Sequence, residues 1–153
     1  MDASIINPFL VSTINLFKEM FGIKIENGNP YIAKSNGNHR WDVSGVIGVV
    51  GETEGVIVIR FTRTLAFKLL IESGLDDKSM TNTDELIRGM VGEFANIISG
   101  NAINSMKNKK VDITVPITIQ GENHTISWPA KAPIISVPFT SPYGPFEVQI
   151  SLT

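Results

Sequence analysis

The chain has 153 residues, the length of one domain and enough to bury a core without staples. Only 18 % of residues are charged, against roughly 25 % in ordinary soluble proteins, and 13 basic against 15 acidic residues leave a net charge of -2, so there is no basic footprint for nucleic acid or anionic lipid. The absence of cysteine excludes disulfides, thiolate metal sites and a cysteine nucleophile, while two histidines, His39 and His124, exclude a His-rich metal site and disfavour a Ser-His-Asp triad.

The opening segment, MDASIINPFL, carries an acid at position 2 and no basic run, so it is not expected to be a signal peptide. No apolar run approaches the roughly 18 residues of a membrane span, and a soluble cytoplasmic protein is expected. Asn7 as N-cap and Pro8 at the first helical position predict the start of a helix. Leu10, Ile14, Phe17 and Phe21 follow at helical spacing, and Gly22 ends it. Residues 23–40 are rich in Asn and Gly, with one short strand expected at Tyr31-Ile32-Ala33. Val43–Val50 and Val56–Thr62 flank a segment bounded by Gly51 and Gly55, which predicts a hairpin. Its second run, Val56-Ile57-Val58-Ile59, is apolar on both faces and is expected to lie centrally in a sheet, covered by helices on one side. Thr64 is predicted to cap a short helix, Leu65 to Ser73, stopped by Gly74. A polar loop, Asp76 to Thr81, leads to the longest helical pattern, from about Thr83 to about Met106, with Asn82 and Glu85 at capping-box spacing.

From Val111 to Ile119 the chain alternates strictly, which predicts a half-buried strand with Val111, Ile113, Val115, Ile117 and Ile119 on one face. Pro116 cannot donate to a ladder and puts this strand at an edge or a bulge. Ile134–Phe139 and Phe146–Leu152 form a final pair, the last strand turning Phe146, Val148, Ile150 and Leu152 inward. The order helix–strand–hairpin–helix, then helix–strand–hairpin, reads as a decayed internal duplication. The expected class is α+β, with two long helices and a short helix packed on a mostly antiparallel sheet. No linker composition divides the chain, so residues 1–153 are read as one domain.

The longest helix is unlike an ordinary surface helix. Ile87, Val91, Phe94, Ile98 and Ala102 make its buried stripe, and the opposite face carries Gly89, Gly92, Glu93, Asn96, Ser99 and Gly100. Each Gly inside a helix costs about 1 kcal/mol relative to Ala, a noticeable loss against a total stability of about 5–15 kcal/mol. Side chains three residues apart are neighbours on a helix, so Glu93 and Asn96 project together from a Gly-lined surface. From the residues alone two explanations stand: close helix–helix packing beside a solvated Glu and Asn, or the approach of a partner's backbone.

The string Gly92-Glu93-Phe94-Ala95-Asn96-Ile97-Ile98-Ser99-Gly100 resembles the E-x-x-N signature helix of the CheC/CheX/FliY family of chemotaxis phosphatases. Ile6-Asn7-Pro8-Phe9-Leu10 and Val43-Ser44-Gly45-Val46-Ile47-Gly48 are similar to CheX as well, and the likeness runs from Ile6 to the terminal strand. The resemblance implies a CheC-like fold, a homodimer and hydrolysis of the aspartyl phosphate of a CheY-like receiver domain. It implies that the Asn96 amide aligns the attacking water, that the Glu93 carboxylate pairs with the receiver's lysine, and that Gly89, Gly92 and Gly100 line the docking face. The chain would need no cofactor of its own, because Mg²⁺ comes with the receiver. In-line placement of a nucleophile supplies much of the acceleration in phosphoryl transfer, so two positioning residues suffice chemically. Setting Ser12-Thr13-Ile14-Asn15 of the first helix against Glu93-Phe94-Ala95-Asn96 keeps the amide and replaces the acid with Ser12. A single site per chain is therefore expected.

Other features have plainer explanations. Lys107-Asn108-Lys109-Lys110 reads as a solvated basic run favourable at a helix C-terminus. Trp41 and Trp128 are expected as core or interface anchors and His124 as a turn-flanking surface residue. No G-x-x-x-x-G-K phosphate loop occurs, and no carboxylate cluster has metal-ligand spacing. The alternative function is a non-enzymatic module that binds a receiver or flagellar-switch partner. A structural dimer built on the Gly face would instead bury Glu93 and Asn96.

Overall fold

In the computed structural model the elements run α1 (Ala3–Phe21), β1 (Glu26–Asn27), β2 (Tyr31–Ala33), β3 (Val43–Gly51), β4 (Gly55–Phe61), α2 (Arg63–Glu72), α3 (Thr83–Asn104), β5 (Val111–Ile113), β6 (Ile117–Gln120), β7 (Ile134–Ser141) and β8 (Gly144–Leu152). Residues 3–33, 40–74, 82–106, 110–128 and 132–153 are described; the polar loop read at Asp76 to Thr81, His39 and most of the basic run lie outside them. The strands form one sheet in the order β1-β7-β8-β4-β3-β5, with β2 also on β7 and β6 also on β3. Every pairing is antiparallel. The α+β class, with three helices over an antiparallel sheet, is as the sequence predicts.

The apolar run of β4 does lie centrally, between β3 and β8. Ile57, Ile59 and Phe61 point to the helices, as do Phe146, Val148, Ile150 and Leu152 of β8, and all are buried. Their aromatic centre is a stack: Phe146 lies 4.8 Å from Phe17, 5.2 Å from Phe61 and 5.1 Å from Phe139, ring centre to ring centre. Gly45 lets α3 settle on β3. A Cβ there would sit 2.9 Å from the Val91 carbonyl oxygen and 3.0 Å from the Ala95 Cβ.

Four local expectations are corrected. Helix α1 begins at Ala3, not after Asn7, and holds Pro8 inside it. Ile5 and Ile6 pack against the core, so burial extends the helix N-terminally past a residue that forgoes one backbone bond. Helix α2 is capped by Thr62, whose hydroxyl accepts from the Leu65 N–H at 3.2 Å, rather than by Thr64. Asn82 is the N-cap of α3, but its side chain makes no cap bond.

The alternating run 111–119 is two strands, not one. Ile113 pairs with Val49, but Ile117 pairs with Val46, a slip of one residue against β3. One residue of slip exchanges the faces of a strand. Ile117 is therefore 65 % exposed, while Thr118 turns toward α3; Val115, in the unpaired stretch between the two strands, is 81 % exposed. Pro116 lies in the interruption, where no ladder bond is needed.

The sheet face away from the helices is also buried, by polar residues. Ser44, Arg60, Ser136, Glu147, Gln149 and Ser151 are each less than a tenth exposed. Glu147 accepts from the Tyr31 hydroxyl and from Ser136 Oγ, both at 2.8 Å. Trp41 is a core residue, as expected, and Trp128 is half-buried.

Candidate functional site

Helix α3 carries the candidate site because its two long faces differ. Ile87, Val91, Phe94, Ile98 and Ala102 are at most 1 % exposed, so the predicted stripe sits fully in the core. That fixes the rotation of the helix and turns Glu93 outward. Glu93 is exposed and Asn96 half-buried, one turn apart. Among the described residues neither side chain has a hydrogen bond or ion pair. Within the single chain, packing does not bury the pair.

The three glycines are not equivalent. Gly89 is exposed, and a Cβ there would meet nothing within 4 Å. Gly92 is buried, with a built Cβ 3.3 Å from Thr118 Cγ2, so the edge of the chain's own sheet accounts for its missing side chain. Gly100 is half-buried, 3.9 Å from Ile113 Cδ1 by the same measure. Ser99 lies in the interior, not on the outer face, and its hydroxyl has no hydrogen-bond partner among the described residues.

Two concavities flank the exposed strip. Toward α1 runs a groove of about 580 Å³ whose walls include Val11, Asn15, Ile97 and Asn101. Here lies the α1 counterpart of the pair: Ser12 is 7 % exposed and Asn15 is exposed. At the N-terminal end of α3 is a polar cleft of about 660 Å³. In it Arg88 donates to Gln120 Oε1 at 2.7 Å, Gln120 donates to Asp84 at 3.3 Å, and Arg63 donates to Asp84 at 2.9 Å. Sequence reasoning missed this chain of contacts, which joins α2, α3 and β6 across long separations that no local spacing encodes. His124 does flank a turn, as expected, but it is half-buried and its ring is bonded to Ser44, which sequence reasoning missed. Among the described residues no group of three or more His, Asp or Glu is placed to hold a metal ion, and no described helix is long and apolar enough to cross a membrane.

The sequence model of the family described as Chemotaxis phosphatase CheX matches residues 43–140. The chain belongs to the CheX family. The matched stretch contains all of α3, and with it Glu93 and Asn96. A CheC-like superfamily protein from Shewanella sp. PV-4 is 34 % identical, with a TM-score of 0.87 over 100 % of this chain and 99 % of that one. CheX from Desulfovibrio desulfuricans is 34 % identical, with a TM-score of 0.86 over 97 % of this chain and 99 % of the other. The structure of a CheX–CheY–BeF3–Mg²⁺ complex from Borrelia burgdorferi contains a chain 30 % identical to this one, with a TM-score of 0.80 and 97 % of each covered. No curated protein sequence matches the chain. The CheX likeness extends over α1 as well as the matched stretch, since these structures superpose on nearly the whole chain.

Proposed function

We propose that this CheX-family protein hydrolyses the aspartyl phosphate of a CheY-like receiver in chemotaxis or a related two-component pathway, using Asn96 to orient the water and Glu93 to anchor the receiver's lysine. The observation that carries this is the state of the pair: an acid and an amide one turn apart on the outward side of α3, neither engaged among the described residues. The Borrelia complex supplies the partner class, a CheY protein with Mg²⁺.

The chemistry asks little of α3. As the receiver's phosphoryl group is attacked, the bond from the water oxygen to phosphorus forms while the bond from phosphorus to the aspartate oxygen breaks, leaving a carboxylate and inorganic phosphate. An amide oxygen accepts one hydrogen of the water and aims its lone pair along that line. Glu93, as a carboxylate beside an ammonium, holds the helix in register by a charge-assisted hydrogen bond. Mg²⁺ belongs to the receiver in this scheme and stabilises the charge on the phosphoryl oxygens. Gly89 gives the receiver backbone room to approach, and Gly92 and Gly100 keep the flank of α3 low. Ser12 in place of an acid leaves α1 without an anchor, so one site per chain operates. The protein acts in the cytoplasm as a homodimer, through the exposed edge near Pro116.

The test is phosphate release from a phosphorylated CheY-type receiver with the wild type and with Asn96→Ala. Wild-type stimulation that Asn96→Ala lacks supports the proposal, and equal rates with the two proteins end the claim for Asn96. Receiver binding with an unchanged phosphate lifetime would establish the non-enzymatic module instead.

A further inference from the structure

The chain leaves β6 through a tight turn at Gly121–His124, where Asn123 adopts a left-handed φ of 52°, a conformation Asn tolerates better than most residues. His124 meets Ser44 and Arg60 on the helix-free side of the sheet, and the chain has no regular structure from there through Trp128. Three backbone N–H groups tie the turn down. Gly121 donates to the Asp42 carbonyl at 2.9 Å, Asn123 to Asp42 Oδ1 at 3.2 Å, and His124 to the Trp41 carbonyl at 3.1 Å. Arg60 Nη2 donates to the His124 carbonyl at 3.1 Å.

The His124 ring completes the attachment and fixes its own tautomer. Nδ1 lies 3.1 Å from the Gly121 carbonyl oxygen, which only accepts, so Nδ1 carries the proton. Nε2, 2.7 Å from Ser44 Oγ, then accepts from the hydroxyl, and that oxygen in turn accepts from Arg60 Nε at 3.2 Å. A proton on Nε2 would break this relay. Ser44 would face two donors, its own hydrogen would lose its acceptor, and a second cation would stand beside the guanidinium of Arg60, a buried residue.

We infer that the turn at residues 121–124 forms a proton-sensitive strap against the polar face of the sheet, latched by neutral His124 onto Ser44 and Arg60 and released when His124 is protonated. The surrounding charges are Arg60 from β4, which opposes a proton on the ring, Asp42 before β3, which favours one, Glu147 of β8, which faces Arg60, and Glu122 of the strap itself. Burial, the largest influence, and Arg60 together hold the His124 pKa below its ordinary value, against the Gly121 and Trp41 backbone bonds and Asp42. The opened strap therefore binds a proton that the closed one refuses. Closure is complete above the free-histidine value of about 6.5 and is lost progressively as pH falls below it.

The strap is the direct continuation of Gln120, which bonds Arg88 and Asp84 of α3. Its release frees the end of β6 that borders the candidate site. The inference stands apart from the proposed phosphatase activity and needs no receiver to test.

Amide hydrogen exchange, corrected for intrinsic rates, reads it directly on the full chain. Between about pH 7.5 and about pH 5, protection of the Gly121, Asn123 and His124 amides should fall roughly tenfold, while the β4–β8 ladder keeps its protection. In His124→Gln, whose amide oxygen still accepts from Ser44 but does not titrate, strap protection should not change with pH. Full wild-type protection at the lower pH, or the same loss in His124→Gln, would overturn the inference. A ¹⁵N titration of the wild-type ring supplies a check that needs no variant: it should find Nδ1 protonated in the neutral form and a pKa below about 6.5. An Nε2-protonated neutral ring, or an ordinary pKa, would also overturn it.

Discussion

Asn96 and Glu93 divide the proposed work between aiming a water and holding a partner, so their loss should register in different quantities. Asn96→Ala leaves the docking surface in place and should lower the single-turnover rate of receiver dephosphorylation by about 100-fold, the usual scale for a misplaced nucleophile. Glu93→Ala removes one hydrogen-bonded ion pair and should chiefly raise the receiver concentration giving half-maximal rate. Gly89 provides a sharper test, because nothing among the described residues explains it: a Cβ there meets none of their atoms within 4 Å. Gly89→Ala should stabilise α3 by about 1 kcal/mol, raising the melting temperature by about 2–4 °C, while weakening receiver-dependent hydrolysis. A more stable protein with undiminished activity would remove Gly89 from the docking face. Gly92 gives no such separation, since its Cβ would press on Thr118 and disturb fold and site together.

The placement of α3 on the sheet depends on β3 at one point above others. Gly45→Ala would put a Cβ against the Val91 carbonyl oxygen and the Ala95 Cβ at contact distances that real structures avoid. Backbone is one of the two neighbours, so relief requires moving the helix, and urea unfolding should show a loss of about 1–3 kcal/mol. Nothing in the Val43–Val50 pattern reveals that Gly45 faces a helix, whereas the bounds and inner stripe of α3 are legible because one repeating period sets them. The strand 111–119 marks the limit of that legibility. Its alternation is real, but which face is buried depends on register against β3, and the slip between Ile113 and Ile117 inverts it. Pro116 signals the irregularity without giving its consequence. The polar layer of Arg60, Glu147 and Gln149 misleads for a related reason: polar residues alternating with apolar ones read as solvent-facing, and the groups that bond Glu147 and Arg60, Tyr31 and His124, are distant in sequence. The Glu93–Asn96 strip was legible because its rotation follows from the stripe opposite.

The duplication seen in the order of elements becomes an exchange in the assembled sheet. The edge strands of the first half, β1 and β2, pair with β7 of the second, and β5 and β6 pair with β3 of the first. Neither half holds a complete sheet of its own, and β4 and β8 form the seam between them. This arrangement leaves two broken edges, and the β5–β6 edge is the more apolar where it is exposed: the register slip presents Ile117 to solvent and the interruption presents Val115, with Val50 of β3 48 % exposed nearby in the sheet. Exposed apolar residues on a strand edge are a liability unless paired or covered. The proposed homodimer provides the cover, and it places the contact on strands rather than on the outward side of α3. Light scattering at about 10 µM, a range where specific interfaces of ordinary size hold, should find twice the chain mass of 16.7 kDa for the wild type. Ile117→Lys should give the single chain mass and keep its activity on a phosphorylated receiver, because Ile117 lies on the sheet face away from the helices while Thr118 beside it points to α3. A wild-type monomer would remove the homodimer. A dimer unaffected by Ile117→Lys would move the contact to the other edge, where Ile32 is 71 % exposed. A monomeric variant that had lost activity would mean that the second chain helps to build the docking face.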